Sequence, residues 1–465
     1  MIRGGTLPGA LLAMLVASAA SASPTVGWRG DGTGRFPSAQ PPTTWSGEKN
    51  VVWSTPISKW GNASPVVVGD RIFVSAEPSS LVCVSREDGK VLWERSNDWK
   101  DLVSEEQKSE IDANAEQADA LWKELSPLKS EWRKLWHARF LNPNDPDLKA
   151  RMRVLRKEIM DLVDKREPLV RYAKAPTQTQ VNGYTSATPV SDGGSVYMVL
   201  GTGVVVCYDL EGNRGWRNIL ERSRDINDWG HSASPLLVDG KLLVHIFHLI
   251  ALDPKTGKEI WRTLAASAFG TAAVTSVGST RVVVTPQGDV VRVSDGEKLA
   301  EGLFELPYGN PVIHDGVVFA VDEGGDKAVR LVPAEGGKVR TETVWENVPE
   351  RMRSGNRYYA SPLVHDGLLY VINEVGVLRA IDTKTGALCF EKKISGRGTV
   401  FPSITLAGKR LLVSRDTGDT LLLEPGREYK EIGVNLLPER FRATPTPDGK
   451  RLYIRGLERL YCIGE

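Results

Sequence analysis

Seven short segments of this 465-residue chain place aromatic and polar side chains just before a repeated motif that begins, in most copies, with a small residue and proline. Flat aromatic faces with hydrogen-bonding edges suit three kinds of ligand: a planar cofactor, a sugar or an extended peptide. We therefore predict ligand or partner contact by ten of these residues: Trp60, Asn62, Tyr184, Trp229, His231, Tyr308, Asn310, Arg357, Tyr358 and Arg442.

Two interpretations of these residues remain open. Aromatic residues that recur with a repeat can simply seal the seams between repeated units, as packing residues must. Four of the ten differ from copy to copy, however, so repeat packing does not require them. These four are the strongest candidates for contact: His231, Asn310, Arg357 and Arg442.

The sequence indicates no catalytic residues and no metal site. Histidine is scarce, at six, so acid-base chemistry would depend mainly on carboxylates. His245 and His248 have a spacing seen in metal sites, but no acidic or sulfur ligand is near them in the sequence. The tripeptide Arg-Gly-Asp at Arg29 is short enough to occur by chance, and we assign it no adhesion role.

The elements that must position these residues are written as a repeat. The stretch ALDPKTGKEIW, from Ala251, returns as AIDTKTGALCF from Ala380 and as CVSREDGKVLW from Cys83. Each copy ends one strand, turns at a glycine and starts the next strand with a large aromatic residue. The upstream half, ASPLLVDGKLLV from Ala233, adds two strands joined by a tight turn. Most copies start about 40 to 50 residues apart, the period of a four-stranded propeller blade.

Eight copies are present, and the weakest begins at Thr271 without the proline and the tryptophan. The last copy stops after three strands, and the stretch Lys49 to Ile57 has the form of its missing outer strand. Closing the ring with that strand removes exposed sheet edges. We therefore predict an all-β fold, an eight-bladed β-propeller whose channel mouth carries the ten site residues. A seven-bladed ring is the alternative.

Residues 98–175 interrupt the repeat and are rich in charge and poor in glycine. Their apolar residues alternate spacings of four and three, as in the seam between two paired helices. We predict an α-helical hairpin that protrudes between the first two blades. It is either a docking site for a protein partner or a self-packed hairpin without one, and Trp122 and Trp136 favour docking.

The N-terminus has the form of an export signal, with an apolar run from Leu7 to Val16 and small residues at a cleavage site. The run is shorter than the roughly 20 residues that span a bilayer, so no transmembrane segment is expected. We expect a soluble protein in the periplasm or outside the cell. The predicted divisions are a signal peptide 1–22, an extended segment 23–48, closing strand and first blade 49–97, hairpin 98–175 and remaining blades 176–465.

The net charge argues against a nucleic-acid-binding protein, and the cysteine positions argue against disulfide bonds. The net charge is +1, which gives no basic excess for nucleic acid. Cys83, Cys207 and Cys462 take one position in three copies, too far apart for the geometry of a disulfide. We therefore expect these three cysteines to be small, buried core residues without disulfide bonds.

The repeat resembles the PQQ-like β-propeller repeat of the quinoprotein alcohol dehydrogenase-like superfamily. The likeness rests on the two phrases at Ala251 and Ala233, and on GWRGDGTGRFP at Gly27 followed by PPTTWSGEKNVVWSTPI at Pro41. It covers nearly all of the predicted mature chain except the hairpin. In the family's enzymes it implies PQQ with calcium beside an adjacent Cys-Cys pair. This sequence has no adjacent cysteines, so no specific residue supports that cofactor, and none is expected.

The function expected is that of an exported, non-catalytic propeller acting as a binding or scaffolding module. Its mouth would contact a small molecule, a glycan or a protein, and its hairpin a protein partner. Two alternatives stay open: a PQQ-dependent oxidoreductase and a carbohydrate-binding propeller.

Overall fold

The computed structural model of the protein describes Met1 and residues 26–142, 145–172, 180–224, 226, 229–265, 269–348 and 357–465. Apart from Met1, the predicted signal peptide lies outside these residues. The described part forms eight sheets, two α-helices and two short 3-10 helices, the last at Trp99–Leu102 and Glu335–Gly337.

The strands follow the chain in order. Two precede the repeat: β1 (Arg35–Phe36) and β2 (Val51–Pro56). Sheet 1 contains β3 (Val66–Val68), β4 (Arg71–Ala76), β5 (Ser80–Ser85) and β6 (Val91–Ser96). Sheet 2 contains β7 (Val190–Ser191), β8 (Ser195–Val199), β9 (Val204–Asp209) and β10 (Arg214–Ile219). Sheet 3 contains β11 (Leu236–Val238), β12 (Lys241–His245), β13 (His248–Leu252) and β14 (Glu259–Leu264). Sheet 4 contains β15 (Ala273–Val277), β16 (Thr280–Val284), β17 (Val290–Arg292) and β18 (Lys298–Ala300).

The second half repeats the arrangement. Sheet 5 contains β19 (Val312–His314), β20 (Val317–Asp322), β21 (Gly325–Pro333) and β22 (Val339–Asn347). Sheet 6 contains β23 (Leu363–His365), β24 (Leu368–Ile372), β25 (Val377–Asp382) and β26 (Leu388–Lys393). Sheet 7 contains β27 (Thr405–Ala407), β28 (Arg410–Ser414), β29 (Asp419–Leu423) and β30 (Glu431–Leu436), with β1 added in parallel to β27. Sheet 8 contains β31 (Thr446–Asp448), β32 (Arg451–Arg455) and β33 (Arg459–Ile463), and β2 is its fourth strand.

Strand β2 joins the two ends of the described chain in one sheet. It runs antiparallel to β33, with Trp53 opposite Cys462 and Ser54 opposite Tyr461. This is the closing strand that the repeat count calls for, because sheet 8 would otherwise end with β33 as a bare edge.

The core lies between neighbouring sheets. Within the described residues, apolar clusters join each sheet to the next, for example Phe73 and Trp93 of sheet 1 with Tyr208 of sheet 2. Another cluster packs Tyr453 of sheet 8 against Ile72 of sheet 1 and so closes the circle. The eight sheets therefore form a propeller, with the weak copy at Thr271 as sheet 4. The cysteines at positions 83, 207 and 462 are buried in these clusters.

A tryptophan on the outer strand of one sheet packs against a turn of the next sheet and holds the two sheets together. Trp216 Nε1–H donates to the carbonyl of Pro254 at 2.8 Å, and its ring covers Gly257. A Cβ at Gly257 would lie 2.5 Å from that ring. The same contact recurs between Trp53 and Gly89, Trp93 and Gly212, Trp261 and Gly296, and Trp345 and Gly386. The glycine and the tryptophan of the repeated phrase thus serve a contact between sheets.

Residues 98–175 contain the predicted helical hairpin. Helix α1 (Glu105–Leu141) begins with a capping box formed by Ser104 and Gln107, and Asp145 caps α2 (Pro146–Val170). The predicted seam is buried between the helices, through Leu125, Trp132, Leu135, Met152, Leu155 and Ile159. Neither helix is apolar enough over a sufficient length to cross a membrane.

Candidate functional site

A cavity of about 340 Å³ opens where the segments leading into the first strands of the sheets converge. We call this side of the ring the mouth face. The turns between second and third strands also lie on it, because the first strand runs away from this side and the second returns. Six of the ten predicted site residues line the cavity: Asn62, Trp229, Tyr308, Asn310, Arg357 and Arg442.

Five aromatic rings, from the segments leading into sheets 3 to 7, line the cavity wall, and the first three pack together as a cluster. We call them the aromatic arc: Trp229, Phe269, Tyr308, Tyr359 and Phe401. Trp229 and Tyr308 stack with centroids 5.9 Å apart. Tyr308 meets Tyr359 edge-on at 5.4 Å, and Tyr359 stacks on Phe401 at 5.2 Å. The rings pack against one another and also line the cavity, so each of the two interpretations left open by the sequence describes part of their role.

Two arginines border the arc. The guanidinium carbon of Arg357 lies 5.8 Å from the centroid of Tyr308, and that of Arg442 lies 5.8 Å from the centroid of Phe401. Arg357 donates to the Tyr359 hydroxyl and Arg442 to the carbonyl of Val181, both at 3.3 Å. Among the described residues, neither forms an ion pair with a carboxylate within 4.0 Å. Glu374 favours the charge of Arg357 and Asp416 that of Arg442, but neither carboxylate belongs to the described lining. The lining is therefore positive at its border, and acidic residues outside it only partly offset this charge.

A series of hydrogen bonds, which we call the belt, connects sheets 1 to 8 through one repeated position, which precedes proline in six of the eight copies. The backbone N–H of Ser64 donates to the Thr188 hydroxyl at 3.1 Å, and that of Thr188 donates to the Ser234 hydroxyl at 3.0 Å. The next links run from Ser234 to Thr271 at 2.9 Å, from Ser361 to Ser403 at 3.1 Å and from Ser403 to Thr444 at 2.9 Å. The Ser or Thr of the repeated motif thus has a structural role, since each hydroxyl satisfies a buried amide of the preceding sheet.

Asn310 holds the belt position of sheet 5. Its Oδ1 accepts from the backbone N–H of Thr271, and its Nδ2 donates to the Ser361 hydroxyl. The sequence suggested ligand contact because Asn310 departs from the repeat. The structure corrects this reasoning: an amide carries both an acceptor and donors, so Asn310 continues the belt although it also lines the cavity.

His231 does not reach the cavity. Its side chain is 2% exposed, and Nε2 donates to the carbonyl of His245 at 2.9 Å. Burial lowers the pKa of His231 to about 4, so the ring is neutral at physiological pH. The imidazole thus lies in the seam beside β12, and ligand contact at this position stays a prediction.

Tyr358 also lies behind the cavity wall. Its hydroxyl accepts from Arg379 at 2.8 Å, and Arg379 is paired with Asp326 at 2.6 Å. Burial raises the pKa of Tyr358 to about 12. The neighbouring Tyr359 takes the place in the cavity wall that the sequence assigned to Tyr358.

Trp60 and Tyr184 belong to a clamp beside the cavity. The Glu77 carboxylate accepts from the backbone N–H groups of Tyr184 and Thr185 at 2.9 and 2.8 Å. The Trp60 ring covers Gly183, where a Cβ would lie 2.7 Å from the ring. Asn62, which does line the cavity, donates to the carbonyl of Val181 at 2.5 Å. Trp60 and Tyr184 are therefore corrected from lining residues to residues that hold the segment leading into sheet 2.

Trp28, a residue that the sequence did not single out, also lines the cavity. Val26 pairs with Ser191 of sheet 2, and β1 pairs with β27 of sheet 7, so residues between them cross the channel. Arg29 is buried and donates to the carbonyls of Pro362 and Ile404, both at 2.9 Å. Burial lowers the pKa of Arg29 to about 9. This N-terminal segment therefore plugs the channel beneath the mouth, and no local sequence signal identified it.

The helical hairpin lies against the mouth face, which corrects the expectation that it protrudes. Arg156 of α2 pairs with Glu305 at 2.6 Å, and Arg139 of α1 lies 3.8 Å from Asp322 at the end of β20. A cavity of about 50 Å³ separates Trp132 and Trp136 of the hairpin from Phe269 and Tyr308 of the arc. The hairpin therefore forms a wall beside the mouth at sheets 4 and 5.

The second contact of the hairpin is with the segment leading into sheet 3. Arg224 donates to the carbonyl of Val163 at 3.2 Å, and the backbone N–H of Arg222 donates to Glu167 at 3.3 Å. Asp164 lies 3.8 Å from His248 Nε2. His248 and Arg224 also bind the fully buried Glu221, at 2.8 and 3.2 Å. His248 thus serves a buried polar network.

The residues of the cavity do not fit a calcium-bound quinone. Calcium takes six to eight oxygen ligands, usually including carboxylates. The lining contains no Asp, Glu or Cys from the described part of the chain. The described residues also contain no group of three or more His, Cys, Asp and Glu side chains able to hold a metal ion. We derive no chemical step through that cofactor.

Comparison with known proteins agrees with this architecture. The profile of the family described as outer membrane protein assembly factor BamB matches residues 45–118 and 178–303. No curated protein sequence matches the chain.

Solved structures show a similar fold at low sequence identity. BamB from Moraxella catarrhalis is 11% identical, with 89% of this chain and 96% of that one covered and a TM-score of 0.54. The quinohemoprotein alcohol dehydrogenase ADHIIG from Pseudomonas putida HK5 is 11% identical over 92% and 78%, with a TM-score of 0.51. A europium-containing methanol dehydrogenase is 10% identical over 89% and 93%, with a TM-score of 0.53. The resemblance to PQQ-like β-propellers that the sequence indicates is therefore confirmed, and the fold of this chain is a β-propeller.

Proposed function

We propose that this protein is an exported, non-catalytic binding module that holds a protein partner at its mouth. The observation that carries the proposal is the cavity itself. Its wall offers five aromatic rings and two arginines without a carboxylate partner, and its described lining has no acid, thiol or histidine. Such a set binds through ring faces and charge, and its described members offer no carboxylate, imidazole or thiol for acid-base or nucleophilic chemistry.

The comparisons support a protein partner over a reaction. The family profile that matches is that of an assembly factor. The dehydrogenase neighbours share the fold at 10 to 11% identity, which carries no activity across. We place the protein outside the cytoplasm on the form of its N-terminus, and we propose the hairpin as the second contact surface. Trp122, on α1, is 43% exposed there.

Site-specific photocrosslinking in living cells tests this proposal. The crosslinking amino acid replaces Tyr359 at the mouth, Trp122 on the hairpin, and Ile432 on the outer strand of sheet 7 as the control. We expect a discrete protein adduct from Tyr359, a second from Trp122, and none from Ile432. Absence of any adduct at Tyr359 and Trp122 contradicts the proposal.

A direct assay distinguishes the oxidoreductase alternative from the binding module. Purified protein is mixed with PQQ and calcium, and its melting temperature and the reduction of a dye by alcohols or sugars are measured. We expect neither to change. A raised melting temperature with dye reduction would establish an enzyme and overturn the binding-module proposal.

A further inference from the structure

The aromatic arc has a spacing that matches an extended polypeptide. Successive side chains on one face of an extended strand lie two residues apart, about 6.6 Å at the usual rise per residue. Trp229, Phe269 and Tyr308 form one cluster with ring centroids 5.9 to 6.2 Å apart, and Tyr359 lies 5.4 Å from Tyr308. A further 5.2 Å separates Tyr359 from Phe401. Alternate apolar side chains of an extended segment can therefore lie against successive rings, whereas a small ring-shaped ligand would use only one or two of them.

The arginines along the arc favour acidic residues at the positions of the bound segment that lie between its apolar side chains. Arg357 lies beside Tyr308 and Arg442 beside Phe401, with Tyr359 between them. Each guanidinium has five N–H donors, and each has one hydrogen bond of 3.3 Å to a neutral oxygen of the described residues. Each therefore retains donors for a carboxylate, and a charged hydrogen bond beside aromatic faces is stronger than one in bulk water.

The plug makes the mouth a site that is closed from below. Trp28 lines the cavity, and Arg29 is anchored on two backbone carbonyls of the segments leading into sheets 6 and 7. A segment that binds here must lie along the arc, since the channel beneath is occupied by residues of the chain itself.

We propose that the mouth recognises an extended segment of a partner protein in which acidic residues alternate with apolar ones. The apolar side chains lie on the rings of the arc, and two carboxylates pair with Arg357 and Arg442. This inference rests on the proposed function and specifies the chemistry of the partner.

Isothermal titration with two matched peptides tests it. The probes are acetyl-Leu-Asp-Phe-Glu-Leu-amide and acetyl-Leu-Asn-Phe-Gln-Leu-amide, which share their shape and differ in charge. We expect the acidic peptide to bind at least tenfold more tightly at low salt, with less than a threefold difference in 0.5 M sodium chloride. Arg357→Gln and Arg442→Gln should each remove most of the difference. Arg397→Gln, an exposed arginine outside the lining, should leave it unchanged.

Three results would overturn the inference. The first is equal affinity for the two peptides, and the second is no saturable binding of either below 1 mM. The third is tight binding of 2-naphthoate in the absence of peptide binding, which would assign the mouth to a small aromatic acid. Melting temperatures of the variants show whether a loss reflects unfolding, and R442K keeps the charge if R442Q is unstable. A crosslinked partner at Tyr359 whose attached segment lacks carboxylates would leave the binding module intact and reject its acidic ligand.

Discussion

The backbone N–H of Ser64 in sheet 1 donates to the hydroxyl of Thr188 in sheet 2 at 3.1 Å, although the whole helical hairpin lies between them in sequence. Thr188 makes the same bond to Ser234 in sheet 3. The residue at this repeated position, usually Ser or Thr, therefore joins the mouth end of one sheet to that of the next from sheet 1 to sheet 8. It also fixes the positions from which the aromatic arc starts.

Replacing the side-chain amide of Asn310 should destabilise the folded protein. Asn310→Ala removes the acceptor of the Thr271 N–H and the donor to Ser361. We expect the free energy of unfolding to fall by about 2 kcal/mol, because a buried N–H loses its partner. Asn310→Ser, which restores the hydroxyl found in other sheets, should lose less. Urea denaturation measures both, and equal losses would show that the hydrogen bonds are not the cause.

Two glycines with the same backbone conformation should differ in their tolerance of alanine. Gly257 has a φ of 68° and Gly240 a φ of 69°, so the conformational cost of alanine is about 1 kcal/mol at each. A Cβ meets the Trp216 ring at 2.5 Å in the first case and nothing within 4 Å in the second. We expect Gly257→Ala to lower the free energy of unfolding by roughly 2 kcal/mol more than Gly240→Ala. Similar losses in urea denaturation would contradict the contact between sheets.

The buried Glu221 should govern acid stability. Burial alone would raise its pKa, but the hydrogen bond from His248 and the charge of Arg224 outweigh burial and hold the pKa at about 2. Because the folded pKa lies below the unfolded one, the stabilisation is complete above about pH 4.5 and is lost as pH falls towards 2. Glu221→Gln should therefore cost about 3 kcal/mol at pH 7, because Arg224 loses its buried partner, and progressively less below pH 4.5.

Denaturation of wild type and E221Q across this range provides the measurement. The control is Glu342→Gln, which removes an exposed pair with Arg340 and should change the free energy of unfolding by less than about 1 kcal/mol. Parallel stability curves for wild type and E221Q would rule out the assigned role.

The contact between the hairpin and the mouth face should weaken as pH rises towards 7. Burial raises the pKa of Asp322 to about 7, and the nearby Arg139 only partly offsets this effect. Glu323 and Glu305 also face Asp322 and raise its pKa. Because the folded pKa is raised, stability is greatest below about pH 4. It is lost by up to about 1.4 kcal/mol per pH unit between about pH 4 and pH 7, where the carboxyl is ionised in the unfolded chain but still protonated in the folded one.

Asp322→Asn should remove this part of the pH dependence. We expect the wild-type melting temperature to fall between pH 5 and pH 8 more than that of D322N. Arg139→Ala should move the decline to higher pH, since it removes the favourable charge. Identical profiles for all three proteins would show that Asp322 does not titrate in this range.

The propeller, the closing strand and the helical pair could be derived from the sequence because each leaves a local signature. Turn glycines, strand lengths and apolar spacings recur within a few dozen residues. The position of the hairpin could not be derived, because Arg156 and Glu305 are joined only by folding. A helical seam indicates that two helices pair, but it does not indicate where the pair lies.

The site was predictable to the extent that it follows the repeat. Arg357 and Arg442 were predicted as contact residues because they depart from it, and the structure places both in the cavity lining. His231 and Asn310 depart from it for structural reasons, since a buried seam can be filled in several ways. Trp28 could not be found because its place depends on Arg29, which reaches a carbonyl 333 positions away.

The pairing of strand β2 with the last strand has a consequence for the rate of folding. Ser54 and Arg459 bond to each other although 405 positions separate them. A nascent chain holding the first seven sheets still lacks the partner of β2, so the ring stays open until the last strand has emerged. Until then, two unpaired edges are available to other chains, and mispairing there competes with closure. Slow steps in refolding and losses to aggregation should therefore be determined by this final join, while each sheet can form early from neighbours close in sequence.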